Sequence, residues 1–293
     1  MVLVQWDQAQ NKTFTEAKRI IDRYVLPHWK GLQIDQISRR EVLDLIDGIA
    51  DRGIKIQALR VHAALHRLFA WAVGRGVIAV NPMTGLPKPA AEVKRDRVLT
   101  NDEVVKVWQG AEQLGFPFGT VVQLLILTGA RREEIGQLKR SEIIDDTISL
   151  KGDRTKNGEP HDIPLSAPAL TLLKDAPRIG HSEYVFTTTG KTPVSGWSRA
   201  KSELDEITGV TDWRIHDLRR VAATGLQKLG TPLQVTEAIL GHVSGSRAGV
   251  VGIYQRHDYA NEKRSALESW GEHVMALVEG RASGVVLPMR GKR

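Results

Sequence analysis

The sequence predicts a mainly α fold with a small β-sheet, an α+β chain of two domains. Apolar residues recur at three- and four-residue spacing through the first third, as in amphipathic helices. That pattern stops at Leu86-Pro87-Lys88-Pro89 and the charged run to Arg97, which has the composition of a linker. Helical periodicity then resumes and is broken by short alternating runs around Lys156-Asn157-Gly158, the mark of a hairpin. The expected organisation is a helical domain over 1–88, a linker over 89–98, a second domain over 99–280 and a mobile basic tail over 281–293.

In the first domain, helices are expected at Phe14–Tyr24, Arg40–Arg52 and Ile56–Val73. Ser38 caps the second, with Glu41 completing a capping box. Gly74, Gly76 and Asn81-Pro82 end the third. After the linker, Thr100 caps a new helix. Helices follow at Val121–Leu127 and Glu133–Leu138, then strands at Asp146–Lys151, His161–Leu165 and Tyr184–Phe186. Helices return at Val194–Glu206, His216–Leu229, Pro232–Leu240 and Glu262–Val278. Phe69 and Trp71 belong to the first core.

The chain has 293 residues, 41% of them hydrophobic and 26% charged, which suits globular domains. It has no cysteine, so disulfides and thiolate metal sites are excluded. No apolar run is long enough to span a bilayer and no signal peptide is evident, so a cytoplasmic protein is expected. The net charge of +7 points to a polyanionic partner. Its distribution is uneven. Residues 1–95 hold 15 Lys+Arg against 9 Asp+Glu, and residues 96–293 hold 26 against 25. The excess suits a DNA-gripping module ahead of a balanced domain; an ordinary basic surface would carry the same charge.

Five short segments carry the chemistry: Thr128–Ile135, Thr155–Gly158, His216–Arg219, Leu240-Gly241-His242 and Tyr254. Together, and in that order, they resemble the motif set of the tyrosine recombinases, or phage integrase family, with the likeness running over about residues 12–280. Tyr254-Gln-Arg-His-Asp-Tyr259, followed by Ala266-Leu-Glu-Ser-Trp270, is similar to the branch encoded by prophages and genomic islands. The resemblance implies a core-type DNA-binding domain over 1–88 and a catalytic domain over 99–280, which together form a C-shaped clamp on DNA and cleave a strand through a 3′-phosphotyrosyl intermediate. It assigns Arg131 and Arg219 to the phosphate clamp, Lys156 to protonation of the departing 5′ oxygen, His216 and His242 to the scissile phosphate, and Tyr254 to nucleophilic attack.

The residue types fit that chemistry. Guanidiniums donate paired, charge-assisted hydrogen bonds to phosphate oxygens and stay charged at any working pH. Arg132 and Arg220 are the neighbours the motifs do not select, since adjacent helical residues point about 100° apart. His216, three residues before Arg219, shares its helical face and could donate to phosphate or accept the phenol proton. Gly241 permits the turn that presents His242. A phenol titrates near 10 and needs nearby positive charge to attack. Tyr259 is the rival to Tyr254 and reads as a packing residue; Lys151 and Lys191 are rivals to Lys156. Glu134 and Asp217 read as supports for Arg131 and His216. Unmatched by any motif, Lys18, Arg19, Arg39, Arg40, Lys55, Arg60 and Arg67 are candidate phosphate contacts.

No metal site and no cofactor are expected. No two-metal acidic cluster or nucleotide-binding Gly-Lys loop is visible, and His62 with His66 lacks a third ligand. The expected partners are double-stranded attachment sites, a monomer alone that becomes a tetramer on DNA through the C-terminal region, a DNA-bending accessory protein and an excisionase. Relatives of the branch often carry a further arm-binding domain, here either trimmed or lacking. A type IB topoisomerase and a DNA-binding regulator without catalysis are the competing readings.

Overall fold

The computed structural model describes residues 12–91, 95–242 and 257–281. The chain divides into two compact units, Met1–Arg95 and Asp96–Arg293.

The first unit holds α1 (Lys12–Ile20), which runs into a wider turn at Ile21–Val25, then α2 (Arg39–Ala50) and α3 (Lys55–Gly74). Ser38 and Glu41 form the expected capping box at α2. The apolar faces close on one core containing Ile21, Val42, Ile46, Leu65 and Phe69, with Trp71 packed at its edge. Arg39 leaves the helix surface to donate to the carbonyls of Thr84 (2.9 Å) and Gly85 (3.4 Å), which fastens the chain after α3.

The second unit begins with α4 (Asn101–Leu114), capped by Thr100 as expected, with Glu103 closing a capping box. Next comes α5 (Phe118–Thr128), apolar on all sides and buried along most of its length, as a central helix must be. Short α6 (Arg132–Gly136) leads to an antiparallel sheet of β1 (Ile143–Ile144), β2 (Thr147–Leu150) and β3 (His161–Pro164). Ile148 pairs with Ile163, and Leu150 with His161, so their inward side chains share a face. Then follow α7 (Ala167–Lys174), α8 (Trp197–Thr208), α9 (Asp217–Lys228), α10 (Leu233–Leu240) and α11 (Ala260–Val278). Helix α11 packs on α5, α7, α9, α10 and β3, and Trp270 donates its indole N–H to the Ile126 carbonyl at 2.8 Å.

Two local expectations change. Tyr184–Phe186 is not a strand: Lys139 and Tyr184 form one isolated bridge, and β1 supplies the third strand. Val185 N–H donates to the Leu138 carbonyl while Phe186 accepts from Val194, so this extended segment divides its hydrogen bonds between two partners instead of joining a ladder. Helix α7 adds to the expected elements, with Ser166 at the cap position and Pro168 in its first turn, where the missing N–H of proline costs nothing.

Candidate active site

The site assembles where α5, α6, α9 and α10 start or end. Arg131 stands immediately before α6 in an extended conformation, not within a helix. Glu134 holds it at both ends, accepting the Arg131 backbone N–H at 2.8 Å and Nη1 at 2.6 Å. Because Glu134 is buried, this pair is held firmly in one geometry. Arg132, the first residue of α6, turns away to Glu133 and lies over the Trp197 ring. The two arginines therefore separate as expected, though by the geometry of a helix start.

Arg219 lies in the first turn of α9 and is only 6% exposed. Its Nη1 donates to the Gly129 carbonyl at 2.8 Å, and its Nη2 to the Leu240 carbonyl. Gly129 ends α5 in the left-handed region (φ 62°) and Gly241 ends α10 likewise (φ 58°), conformations that glycine adopts without strain. The Gly241 carbonyl accepts from Arg131 Nη2 at 3.2 Å and Asn157 Nδ2 at 3.3 Å. Consecutive carbonyls at the end of α10 thus gather both arginines, and the next residue is His242.

His216 sits at the position preceding α9, one residue outside the helix. Although the residue is exposed overall, desolvation of its ring, then the charge of Arg219, holds its pKa below the ordinary histidine value. His242 is held down in the same way, by burial and then by Arg219 and Arg131. Both are neutral imidazoles at pH 7, able to accept a proton or donate one hydrogen bond. Burial, followed by the Arg131 charge, brings Arg219 down to about 10, still fully charged at neutral pH. Asp217 accepts the Arg214 backbone N–H at 2.9 Å and so shapes the turn entering α9.

Lys156 is exposed on the connection over 151–160. That connection is longer than a tight hairpin. Thr155 Oγ1 braces it, lying 3.0 Å from the Gly152 carbonyl and 2.8 Å from that of Glu159. Arg154 fastens its base through Glu142 (2.7 Å) and the Gln137 carbonyl (2.9 Å). An open cavity of about 660 Å³ joins Lys156 to Arg131, Arg154, Trp197, Arg214 and His216. Tyr254 lies outside the described residues. Its rival Tyr259 precedes α11 and packs on the core of the second unit. In the first unit Arg19, Arg39, Arg40, Lys55, Arg60 and Arg67 are exposed, and Lys18 is half-buried. Lys18, Arg19 and Arg40 pair with Asp22, Glu16 and Asp44 on their own turns. Among the described residues no helix is long and apolar enough to cross a membrane.

Sequence reasoning missed the contacts that Asn157 and the Gly241 carbonyl make here. Asn157 lay inside the Thr-Lys-Asn-Gly motif, which was the available signal; its partner is distant in sequence.

A helical unit is thus followed by an α+β unit in which Arg131, Asn157 and Arg219 converge on the carbonyls at the end of α10, directly before His242. Residues 97–261 match the phage integrase family and residues 3–88 the phage integrase central domain, so the chain belongs to the phage integrase family. Among its relatives, prophage integrase IntZ of Escherichia coli K12 is 26% identical over 288 residues, covering 95% of this chain and 69% of IntZ. The integrase of Enterobacteria phage 434 is 24% identical over 240 residues, covering 78% of this chain and 66% of the relative. The chain therefore spans about two thirds of the length of these curated relatives. In fold it is similar to lambda integrase residues 75–356, solved as a dimer bound to a COC′ core site, with TM-score 0.68, 22% identity, and 83% of this chain and 94% of that one covered. Lambda integrase has also been solved as a tetramer bound to a Holliday junction, with TM-score 0.68 and 20% identity, covering 86% of this chain and 78% of that one.

Proposed function

We propose that this chain is a site-specific DNA recombinase, an integrase that cleaves and rejoins DNA through a 3′-phosphotyrosyl intermediate to integrate or excise a mobile element. The observation that carries this reading is the gathering of Arg131 and Arg219 on the Leu240 and Gly241 carbonyls, directly before His242. Two fixed guanidiniums beside a neutral imidazole form a site for a phosphate whose oxygens gain negative charge.

In this reading the Tyr254 phenolic oxygen forms a bond to phosphorus as the bond to the 5′ oxygen breaks. His216 takes the phenol proton, Lys156 gives a proton to the departing oxygen, and Arg131, Arg219 and His242 hold the phosphate oxygens. The phosphotyrosyl bond conserves the energy of the phosphodiester, so attack by a 5′-hydroxyl from another strand rejoins DNA without a nucleotide or a metal. Glu134 and Asp217 act as positioning residues. The basic residues of the first unit contact phosphates, and the roles divide between a DNA-gripping domain and a catalytic domain. Two duplexes cut in pairs require four subunits, so the chain is a monomer alone and a tetramer on attachment-site DNA, in the cytoplasm, with DNA-bending and excisionase partners.

The test is covalent capture on sheared DNA of the host carrying the coding sequence, quenched in detergent with EDTA present. Wild type yields protein–DNA adducts enriched for one sequence, while Tyr254→Phe binds that DNA and yields none. Equal adducts from Tyr254→Phe would show the nucleophile to be another residue. Salt-sensitive binding without adducts from wild type would leave a DNA-binding regulator.

A further inference from the structure

His161 is 7% exposed on β3, and neither ring nitrogen makes a well-formed hydrogen bond. The Ala238 carbonyl near the end of α10 is close enough to favour the protonated ring, but burial outweighs it and holds the imidazole neutral. Buried polar side chains are almost always satisfied, so an unsatisfied one calls for a physical reason. Leucine or phenylalanine would fill this inward strand position at lower cost.

The reason lies across the contact. A Cβ placed on Gly241 would fall 3.0 Å from His161 Cε1 and Nδ1, and 3.3 Å from Cγ. The imidazole thus lies directly against the backbone of the Gly241 turn. The carbonyls above it are engaged: Glu237 by the His242 N–H, Ala238 by the Gly241 N–H, Leu240 by Arg219, and Gly241 by Arg131 and Asn157. Three charged groups face the ring from three other elements. Glu134 on α6 favours the imidazolium, whereas Lys263 on α11 and Arg219 on α9 oppose it. Lys263 is itself buried and donates to the Asp162 carbonyl at 2.9 Å, tying α11 to the residue after His161.

We infer that His161 is a positioning residue for strand cleavage: a neutral imidazole seat beneath the Gly241 turn that fixes Arg131, Arg219 and His242 relative to the scissile phosphate. This rests on the recombinase reading. Its ring N–H can follow the turn's carbonyls when phosphate draws the arginines away from them, which an apolar side chain cannot do.

The test uses the full chain and the DNA fragment recovered by wild-type capture. Single-turnover capture, DNA affinity and thermal unfolding are measured for His161→Leu, His161→Gln, Gly241→Ala and the His161→Ala/Gly241→Ala pair. His161→Leu folds and binds DNA as wild type does, but captures about tenfold or more slowly, the scale of a small misplacement of reacting groups. His161→Gln, which keeps a hydrogen-bonding group, regains part of that rate. Gly241→Ala captures poorly, and removing the ring in the double variant restores rate over the single one.

Capture by His161→Leu at the wild-type rate would overturn the inference alone. So would losses in both His161 variants that merely track lost DNA binding and unfolding temperature. Absence of wild-type capture would remove the recombinase reading and this inference with it.

Discussion

Arg219 and Arg132 have the same side chain in opposite surroundings. Arg219 is buried and supplies the donors for the Gly129 and Leu240 carbonyls. Arg219→Ala strands both carbonyls, at about 1–3 kcal/mol for each group left unsatisfied. Arg132 pairs with Glu133 where both side chains are roughly half exposed, 43% and 51%, and it lies over Trp197. Such contacts contribute about 1 kcal/mol or less. Urea unfolding therefore moves strongly to lower concentration for Arg219→Ala and little for Arg132→Ala. On the proposed recombinase reading, Arg131→Ala removes one donor at the developing charge and slows capture by about 10²–10³-fold. The Arg131–Glu134 pair was legible because three-residue spacing at a helix start brings such side chains together. The Gly241 contacts were not, because Arg131, Asn157 and His161 reach that turn from distant parts of the chain.

At the scale of elements, the end of α10 and the connection after β2 govern the site. Helix caps were legible because their chemistry is local: Ser38 with Glu41, Thr100, and Gly241 after Leu240 all stand where expected. The β2–β3 pairing was legible from alternation, but the shape of its connection depends on Arg154 reaching Glu142 and the Gln137 carbonyl. The false strand at Tyr184–Phe186 arose because aromatic and β-branched residues mark a buried, extended segment and say nothing of the backbone's partners; Val185 and Phe186 are both buried in succession. The connection carries a prediction about Lys156. If its amine protonates the departing 5′ oxygen, Lys156→Ala cleaves normal DNA slowly but cleaves DNA with sulfur at that bridging position at nearly the wild-type rate. A thiol, with a pKa near 8.5, leaves as its anion without a proton donor. Lys151→Ala and Lys191→Ala cleave both substrates as wild type does. Asn157→Ala, which frees the connection from Gly241, is slowed on normal DNA and is also largely rescued by sulfur. Failure of the sulfur substrate to rescue Lys156→Ala would move the general acid to another group.

For the whole molecule, the first unit gathers charge and the second spends its interior on order. Residues 1–95 hold 15 basic residues against 9 acidic ones, whereas the second unit is nearly balanced and buries Glu134, His161, Arg219 and Lys263 near one helix end. Burying titratable groups makes folding depend on pH. Burial depresses His161, His216, His242 and His273 in the second unit and His62 in the first below their ordinary value of 6.5. The unfolded chain then binds more protons than the folded one as pH falls, so stability is full above about 6.5 and declines as these rings are forced to protonate. Carboxylates add their own loss only lower, because Glu103 and Glu183 sit below an ordinary value of 4.5 through their partners Arg97 and Lys139. The interval from about 6.5 down to 4.5 therefore belongs to the histidines. Urea unfolding followed across that interval shows a steady loss for wild type and a shallower one for His161→Leu, which lacks the most deeply buried of these rings. Equal slopes for the two proteins would place the acid sensitivity in the other four histidines and not beneath the Gly241 turn.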